Sequence, residues 1–182
     1  MSSREWWRIL VEKIFLEDRK LKKAKINGEQ LLLISDKIFD EFKKDTYWKK
    51  FDNCDVLLGN LKKKGYKIGA ISNFDERIFL IVKNLGIEKY FDFILIPSNS
   101  NGNYKPQKEI FLQALIKCNI DKPKNRILHV GDSLELDYYA AKKCEFNSIL
   151  IAHDIKIKDF SYLNGNYATD LYDLEKKILS KF

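Results

Sequence analysis

Two aspartates in the C-terminal half of the chain follow a short, largely apolar run. The run 127–130 has the length and residue types of a buried strand, and Gly131 ends it. Asp132 would then lie at the strand end and Asp137 in the first turn of the next helix. Mg²⁺ prefers oxygen ligands and often shares them with phosphate, so the pair suits a magnesium site. A turn at Asp132 and a solvated helical acid at Asp137 would give the same pattern.

Strands and helices alternate along residues 51–182. Four apolar segments have strand character, at 66–71, 90–96, 127–130 and 148–152. Helical patterns lie between them, one of which is expected to begin at Lys105-Pro106, and a last helix is predicted over 170–179. This alternation predicts an α/β fold with a parallel sheet that helices cover on both faces.

Side chains able to bind a phosphate group follow the ends of the predicted strands. Right-handed crossovers place the carboxyl ends of parallel strands at one edge of a sheet, where ligands bind. We therefore expect a hydroxyl, an amide, a lysine and two acids to meet there, namely Ser72, Asn73, Lys105, Asp132 and Asp137. Such a set could bind a phosphate group with its Mg²⁺, although Ser72 would also suit a turn that caps the next helix. His129 is interpreted as a core histidine that points away from this edge.

The first fifty residues show helical periodicity and contain no segment of strand character. Ser2 and Glu5 predict a capping box at the start of a first helix, and a second helix is expected over 29–43. The basic segment 19–28 is interpreted as a connector. We therefore divide the chain into a helical part over 1–50 and an α/β core over 51–182.

The composition is typical of a globular protein with a basic balance. Hydrophobic residues make up 45% and charged residues 32% of the 182 positions, with a formal net charge of +7. The lysines are scattered rather than clustered, which disfavours a nucleic-acid partner. No apolar run approaches the roughly 20 residues that span a membrane, and the three cysteines lack metal-ligand spacing. We expect a cytoplasmic protein without a membrane partner.

The ordered motifs resemble those of the haloacid dehalogenase-like hydrolase superfamily. Ile71-Ser72-Asn73 is similar to its second motif, Tyr104-Lys105-Pro106 to its third, and the segment 131–137 to its fourth. Four further stretches resemble the subgroup named haloacid dehalogenase-like hydrolase domain-containing protein 3, namely Arg4-Glu-Trp-Trp, Ser72-Asn-Phe-Asp-Glu-Arg77, Tyr90-Phe-Asp-Phe and His129-Val-Gly-Asp. The resemblance covers nearly the whole chain and implies a Rossmann-like parallel sheet preceded by a partial helical cap.

The same resemblance implies a function for each site residue. Ser72 and Asn73 would bind the phosphate group of a small phosphorylated molecule, and Lys105 would neutralise it during catalysis. Asp132 would contact Mg²⁺ directly, whereas Asp137 would support the metal site through water or a hydrogen bond to Lys105. The implied activity is hydrolysis of a phosphate monoester through an aspartyl-phosphate.

The chain departs from this family because it lacks a segment like the first motif. In the family, that motif is a strand that lies mid-sheet and ends in Asp-x-Asp. Its first aspartate is the nucleophile, and no acid in the first fifty residues follows a β-type run. Without that strand, the segments 67–71 and 127–130 have no shared neighbour, unless they close up or another segment fills the gap. We expect a fragment of a longer protein that is poorly stable alone and inactive as written. The alternative is a non-catalytic protein that uses the same fold for binding or as a scaffold.

Overall fold

The computed structural model describes residues 1–18, 23, 26–120, 126–152 and 160–181, which form two compact units. One unit combines residues 1–49 with 75–86, and the other combines 50–74 with 87–182. The segment 75–86 therefore belongs with the N-terminal helices, although it lies within the stretch that the sequence pattern assigned to the core. Most of the predicted connector 19–28 lies outside the described residues.

The elements alternate as the sequence pattern predicts. The helices are α1 (Ser3–Glu17), α2 (Gly28–Glu41), α3 (Cys54–Lys63), α4 (Arg77–Asn84), α5 (Lys108–Lys117), α6 (Ala140–Lys143) and α7 (Leu171–Lys181). The strands are β1 (Gly69–Ile71), β2 (Phe93–Leu95), β3 (Leu128–Gly131), β4 (Asn147–Ile151) and β5 (Tyr167–Ala168). A π-helical turn, Leu134–Tyr139, leads into α6. Among the described helices, none is both long and apolar enough to cross a membrane.

The first unit begins at the capping box that its sequence predicts. The Ser2 N–H donates to the Glu5 carboxylate at 2.6 Å, and the Glu5 N–H donates to Ser2 Oγ at 3.2 Å. Asn27 and Gln30 form the same reciprocal pair at the start of α2. These bonds satisfy N–H groups that the first turn of each helix leaves without a partner.

Arg77, the first residue of α4, lies at the centre of this unit and is buried. Its guanidinium lies 3.9 Å from the ring centroid of Phe39 and 4.8 Å from that of Trp7. The Asp75 carboxylate accepts two hydrogen bonds from it, at 2.6 and 2.8 Å. A buried charge is tolerated when it is paired in this way, so the Asp75–Arg77 pair allows α4 to pack with α1 and α2.

The second unit contains two parallel sheets rather than one. β1 pairs with β2, while β3, β4 and β5 form a three-stranded sheet in that order. α5 and Phe111 cover the side of β3 that carries Ile127 and His129. Leu128 and Val130, on the other side, pack with residues of α3 and α7. Helices therefore cover both faces of β3, as parallel strands require.

Among the described residues, β1 and β3 do not pair with each other. Both strands instead line a cavity of about 530 Å³, which is the gap expected between the segments 67–71 and 127–130. The two strands have therefore not closed up, and no described segment fills the space between them.

Three local predictions differ from the structure. The strand expected over 66–71 is shortened to Gly69–Ile71. The strand expected over 90–96 is shortened to Phe93–Leu95, because a 3₁₀ turn, Glu88–Tyr90, occupies its start. The helix expected to begin at Lys105-Pro106 begins instead at Lys108. The Gln107 N–H bonds to the Tyr104 carbonyl at 2.8 Å, so Lys105 and Pro106 form a turn before the helix.

Candidate functional site

Lys105 and Asp137 form an ion pair where the chain leaves β2 and β3. Lys105 Nζ donates to Asp137 Oδ1 at 2.7 Å, and the two side chains are only 14% and 3% exposed. Lys105 comes from the loop that follows β2, whereas Asp137 lies in the π-helical turn that follows β3. The predicted hydrogen bond between this lysine and this acid is therefore present.

The Asp137 carboxylate accepts two further hydrogen bonds. His129 Nε2 lies 2.9 Å from Oδ1, and the Ser133 N–H donates to Oδ2 at 3.1 Å. Burial raises the pKa of this carboxyl, but the bonds from His129, Lys105 and Ser133 outweigh burial and lower the pKa to about 2. Asp137 is therefore ionised at neutral pH, and it holds the ammonium group of Lys105 in place.

Gly131 is required by the position of Asp137. A Cβ atom at Gly131 would overlap the carboxylate carbon and one oxygen of Asp137, so any other residue would displace the acid. The glycine and the aspartate of the fourth motif therefore belong to one packing arrangement. Because Gly131 has no side chain, the Asp137 carboxylate can pack against the end of β3, where it bonds to Lys105.

Asn73 fixes the backbone of Lys105. Its Nδ2 group donates to the Lys105 carbonyl at 2.8 Å, and its Oδ1 atom accepts from the Lys105 N–H at 2.7 Å. These bonds hold Lys105 in the turn that precedes α5. Asn73 lies two residues after Ile71, the last residue of β1, so the third-motif lysine is held from the strand end that carries the second motif. Its predicted contact with phosphate stays a prediction.

Ser72 continues the pairing of β1 with β2 beyond the end of the strand. Its N–H donates to the Leu95 carbonyl at 2.9 Å, and its Oγ atom accepts from the Phe74 N–H at 3.1 Å. Within the described part of the chain, the Ser72 hydroxyl hydrogen has no acceptor. The hydroxyl can therefore donate to a ligand while its oxygen holds the turn.

Asp132 differs from Asp137 because it is exposed to solvent. Its carboxylate has no hydrogen-bond or ion-pair partner among the described residues, and those residues contain no group of three side chains placed to hold a metal ion. Mg²⁺ is often held by one or two carboxylates together with water and phosphate oxygens. Asp132 alone fits such a site in part, whereas the oxygens of Asp137 are already engaged.

The contacts bring Asn73, Lys105 and Asp137 together, with Ser72 and Asp132 as neighbours along the chain. His129 was missed as a member of this group. Its side chain is 13% exposed, and it faces Asp137 rather than pointing away from the site. Strand alternation could have revealed this, because His129 and Gly131 share one face of β3 and Asp137 packs against Gly131.

The fold and the order of the motifs define a haloacid dehalogenase-like hydrolase. The model of the family described as "haloacid dehalogenase-like hydrolase" matches residues 1–145, and the chain belongs to that family. The chain is similar over its length to a crystal structure of a HAD phosphatase from Thermococcus onnurineus. The TM-score is 0.67 at 22% identity, with 93% of this chain and 78% of the other covered.

Two relatives indicate the subgroup. The haloacid dehalogenase-like hydrolase domain-containing protein 3 of Bos taurus is 29% identical over 153 residues, which cover 84% of this chain and 57% of that protein. The rhythmically expressed gene 2 protein of Drosophila melanogaster is 32% identical over 192 residues, which cover 98% of this chain and 70% of that protein. The chain therefore spans 57–70% of the length of these relatives.

Proposed function

We propose that residues 1–182 bind the phosphate group of a small phosphorylated molecule, as a phosphatase-type domain that lacks its own nucleophile. The observation that carries this proposal is the fixed position of Lys105, which is held by Asp137 and by Asn73, the residue after Ser72. Asp137 holds the ammonium group, and Asn73, which follows Ser72, holds the backbone of the lysine. The site therefore offers a cation and a hydroxyl donor to one anion.

The donors of the site suit a phosphate group. An ammonium group has three N–H donors, and Lys105 gives one of them to Asp137. The remaining N–H donors and the hydroxyl of Ser72 can bond to phosphate oxygens. Phosphoryl transfer depends mainly on positioning and on neutralising charge, which is the contribution that such donors make.

Mg²⁺ would supply a further positive charge beside the phosphate group. Asp132 is the residue that would hold it, with water and phosphate oxygens as the other ligands. A single free carboxylate binds such an ion weakly, so we expect metal binding to depend on the presence of phosphate. Asp137 would act on this site by holding Lys105.

Hydrolysis through an aspartyl-phosphate requires an aspartate at the end of a strand beside Ser72 and Asp132. In the described part of the first fifty residues the chain forms α1, α2 and a 3₁₀ turn but no strand. Three of the four acids of α2 are engaged elsewhere, since Asp36 and Asp40 pair with Arg4 and Glu41 pairs with Lys44. We infer that the chain as written binds phosphate without turning over a phosphate ester.

Calorimetry with inorganic phosphate and Mg²⁺, together with an assay on a generic phosphate ester, tests this proposal. We expect saturable phosphate binding that Lys105→Met weakens by about tenfold or more, since it removes the cation. Lys108→Met, at an exposed position nearby, should bind phosphate like the wild type. Turnover that Asp132→Asn abolishes would show that residues 1–182 do contain a nucleophile. Absence of phosphate binding would overturn the proposed function.

A further inference from the structure

The second unit has an edge opposite the candidate site, where its strands begin and its helices end. Lys62, in the last turn of α3, bonds to the Asp92 carboxylate just before β2, at 2.9 Å. Lys67, two residues before β1, donates to the Cys118 carbonyl at the end of α5, at 2.8 Å. α6 leads into β4, which runs parallel to β3. The ends of α3, α5 and α6 therefore meet at the starts of the first four strands.

The last helix returns to the same edge. Lys177, in α7, donates to the carbonyl of Tyr167, the first residue of β5, at 2.6 Å. The helix then continues to Lys181. We define the amino-end edge as the last four residues of α3, α5, α6 and α7, the residue after each of them, and the three residues before each strand.

Cations outnumber acids at the amino-end edge. Three lysines lie at the end of α3, two at the end of α6 and one each at the ends of α5 and α7, while Lys67 and Arg126 precede β1 and β3. Against these nine cations stand two acids, Asp92 and Glu145. The excess equals the formal net charge of +7, so the other positions of the sequence carry equal numbers of cations and acids. Lysines that are scattered along the sequence are therefore gathered by the fold.

Most of these cations have no acid to neutralise them. Lys62 pairs with Asp92, and Lys67 bonds to a carbonyl. The other seven are exposed and have no hydrogen-bond or ion-pair partner in the described part of the chain. In the first unit, by contrast, Arg4 and Arg8 pair with acids of α2. The amino-end edge therefore presents positive charge that internal ion pairs do not cancel.

Helix dipoles account for only part of this charge. A helix C-terminus carries about half an elementary negative charge, which nearby cations stabilise. Four helices end at the edge, so their dipoles offset about two of the seven excess charges. Lys67 and Arg126 precede strands, whose net dipoles are small. A positive surface of about five charges remains, and an anionic partner would complement it.

Aliphatic side chains stand among the cations. Ile116, beside Lys117 in α5, is 73% exposed, and Leu179, two residues before Lys181, is 40% exposed. The described residues of the edge include no exposed aromatic ring. Single-stranded nucleic acids bind to aromatic platforms, and base edges are read by forked arginine or amide side chains. Lysines around aliphatic groups instead suit the interface of a lipid bilayer.

We propose that the amino-end edge binds the surface of a membrane that contains anionic phospholipids. The unpaired lysines and Arg126 bind the phosphate and carboxylate groups of the lipid headgroups, and Ile116 and Leu179 enter the interface between headgroups and acyl chains. Clusters of about four to eight cations are typical of proteins that bind anionic leaflets. The sequence predicted no membrane partner because it lacks an apolar run that spans a bilayer, but peripheral binding needs no such run.

Binding by this edge directs the candidate site away from the membrane. β1, β3 and β4 have three to five residues. A strand rises about 3.3 Å per residue, so the site at the carboxyl ends lies roughly 10–17 Å from the amino-end edge. A phosphorylated molecule in solution can therefore approach Lys105 while the edge is bound. The membrane surface and the phosphate site use opposite ends of the same strands.

Flotation with lipid vesicles tests this membrane surface. Residues 1–182 are mixed with vesicles of phosphatidylcholine, either alone or with about 30% phosphatidylserine, at about 0.1 M salt. We expect the chain to float with the phosphatidylserine vesicles and to stay in solution with the others. Salt at about 0.5 M should release it, because screening weakens the attraction between exposed charges. Equal binding to both kinds of vesicle would overturn the proposal, and this measurement needs no substitution in the protein.

A double substitution locates the binding to the edge. Lys64→Gln/Lys143→Gln removes one exposed charge from the end of α3 and one from the end of α6. Each lysine near an anionic surface contributes about fivefold to affinity, so we expect a loss of about 25-fold. The matched control, Lys37→Gln/Lys108→Gln, removes two exposed charges outside the edge and should bind vesicles like the wild type. Equal losses in both variants would show attraction by net charge alone and would overturn the proposal.

A substitution of Ile116 and a nucleic-acid competitor test the kind of partner. Ile116→Asn should weaken binding to phosphatidylserine vesicles by about tenfold, because an aliphatic side chain no longer enters the interface. Duplex DNA of random sequence, at an equal concentration of phosphate groups, should not displace the chain from the vesicles. Displacement would assign the edge to nucleic acid, and unchanged binding of Ile116→Asn would remove the apolar contact. Either result overturns the proposal.

The membrane surface and the proposed function can fail independently. The vesicle assays use neither inorganic phosphate nor turnover. Lys64→Gln/Lys143→Gln lies away from the candidate site, so it should bind inorganic phosphate like the wild type in calorimetry. Vesicle binding by a chain that does not bind phosphate would support the membrane surface while the proposed function fails. Loss of both kinds of binding in this variant would show one general attraction of anions and would overturn the membrane surface.

Discussion

Lys105 Nζ lies 2.7 Å from Asp137 Oδ1, and this ion pair is largely withdrawn from solvent. It joins the loop after β2 to the turn after β3, which are 32 residues apart in the chain. A buried ion pair adds little net stability, but the loss of one partner is costly because the other charge stays buried. The stability of the second unit and the geometry of the site therefore depend on the same contact.

Substitution of Lys105 should destabilise the chain as well as weaken phosphate binding. Lys105→Met removes the cation from the buried Asp137 carboxylate, and we expect a loss of about 3 kcal/mol in the free energy of unfolding. Lys108→Met, at an exposed position, should change it by less than about 0.5 kcal/mol. Urea unfolding at neutral pH measures both. Equal stability of the two variants would contradict the structural role of Lys105.

Acid should remove the contribution of Asp137 to stability. The pKa of this carboxyl is about 2 in the folded chain, against an ordinary value of 3.8. Because the folded value is the lower one, the contribution is complete above the ordinary pKa and is lost as the pH falls from about 4 towards 2. It amounts to about 2 kcal/mol at neutral pH.

The comparison of wild type with Asp137→Asn isolates this effect from the other carboxylates. The difference in their free energies of unfolding should be constant above about pH 5 and should shrink below about pH 4. Urea unfolding at a series of pH values measures it. A difference that does not depend on pH would show that Asp137 is not held as an anion in the folded chain.

A methyl group at Gly131 should disrupt the site. Gly131→Ala would displace the Asp137 carboxylate, and overpacking of this kind costs about 1–3 kcal/mol. Phosphate binding should weaken in parallel, because Lys105 loses its partner. Gly28→Ala is the matched control, since it lies in α2 with no atom within 4 Å of the added Cβ. The control should be neutral or more stable by up to about 1 kcal/mol. Thermal unfolding and calorimetry distinguish the two variants.

Arg77 should not tolerate lysine. Its guanidinium makes two bonds to Asp75 and lies over the ring of Phe39, and lysine cannot reproduce this planar geometry. We expect Arg77→Lys to cost more than about 2 kcal/mol of unfolding free energy. Arg8→Lys, which changes an ion pair to Asp36 near the surface, should stay close to the wild type. Similar losses in both variants would argue against a special role of the buried pair.

Periodicity and capping residues predicted much of the fold. Ser2 and Glu5 begin α1 as expected, and the last helix, predicted over 170–179, forms at Leu171–Lys181. β5 was not predicted, because two residues are too few to show alternation. The start of α5 was misplaced because proline indicates a first turn, whereas Asn73 holds the backbone of Lys105 outside the helix. Contacts between distant parts of the chain override local preference at such positions.

The candidate site shows the same limit. The alternation of strands and helices predicted that the segments after β2 and β3 would meet, and the contact between Lys105 and Asp137 confirms this. Binding of a ligand there stays a prediction. The partners of Asp137 depend on the face of β3 from which each side chain projects, and His129 was assigned to the wrong surroundings. The packing of residues 75–86 with the N-terminal helices was not predicted either. It depends on the burial of Arg77 against aromatic rings of α1 and α2, and the local sequence around Arg77 does not show these partners.

The paired hydrogen bonds between the Asn73 amide and the backbone of Lys105 have an energetic consequence for any ligand. A lysine on a free loop would lose backbone and side-chain freedom when it binds an anion, and that loss would weaken binding. Here the amide has already restricted the backbone, and Asp137 has restricted the side chain, during folding. The entropy of ordering this lysine is thus lost once, when the protein folds, and an arriving anion meets a cation that is already in place.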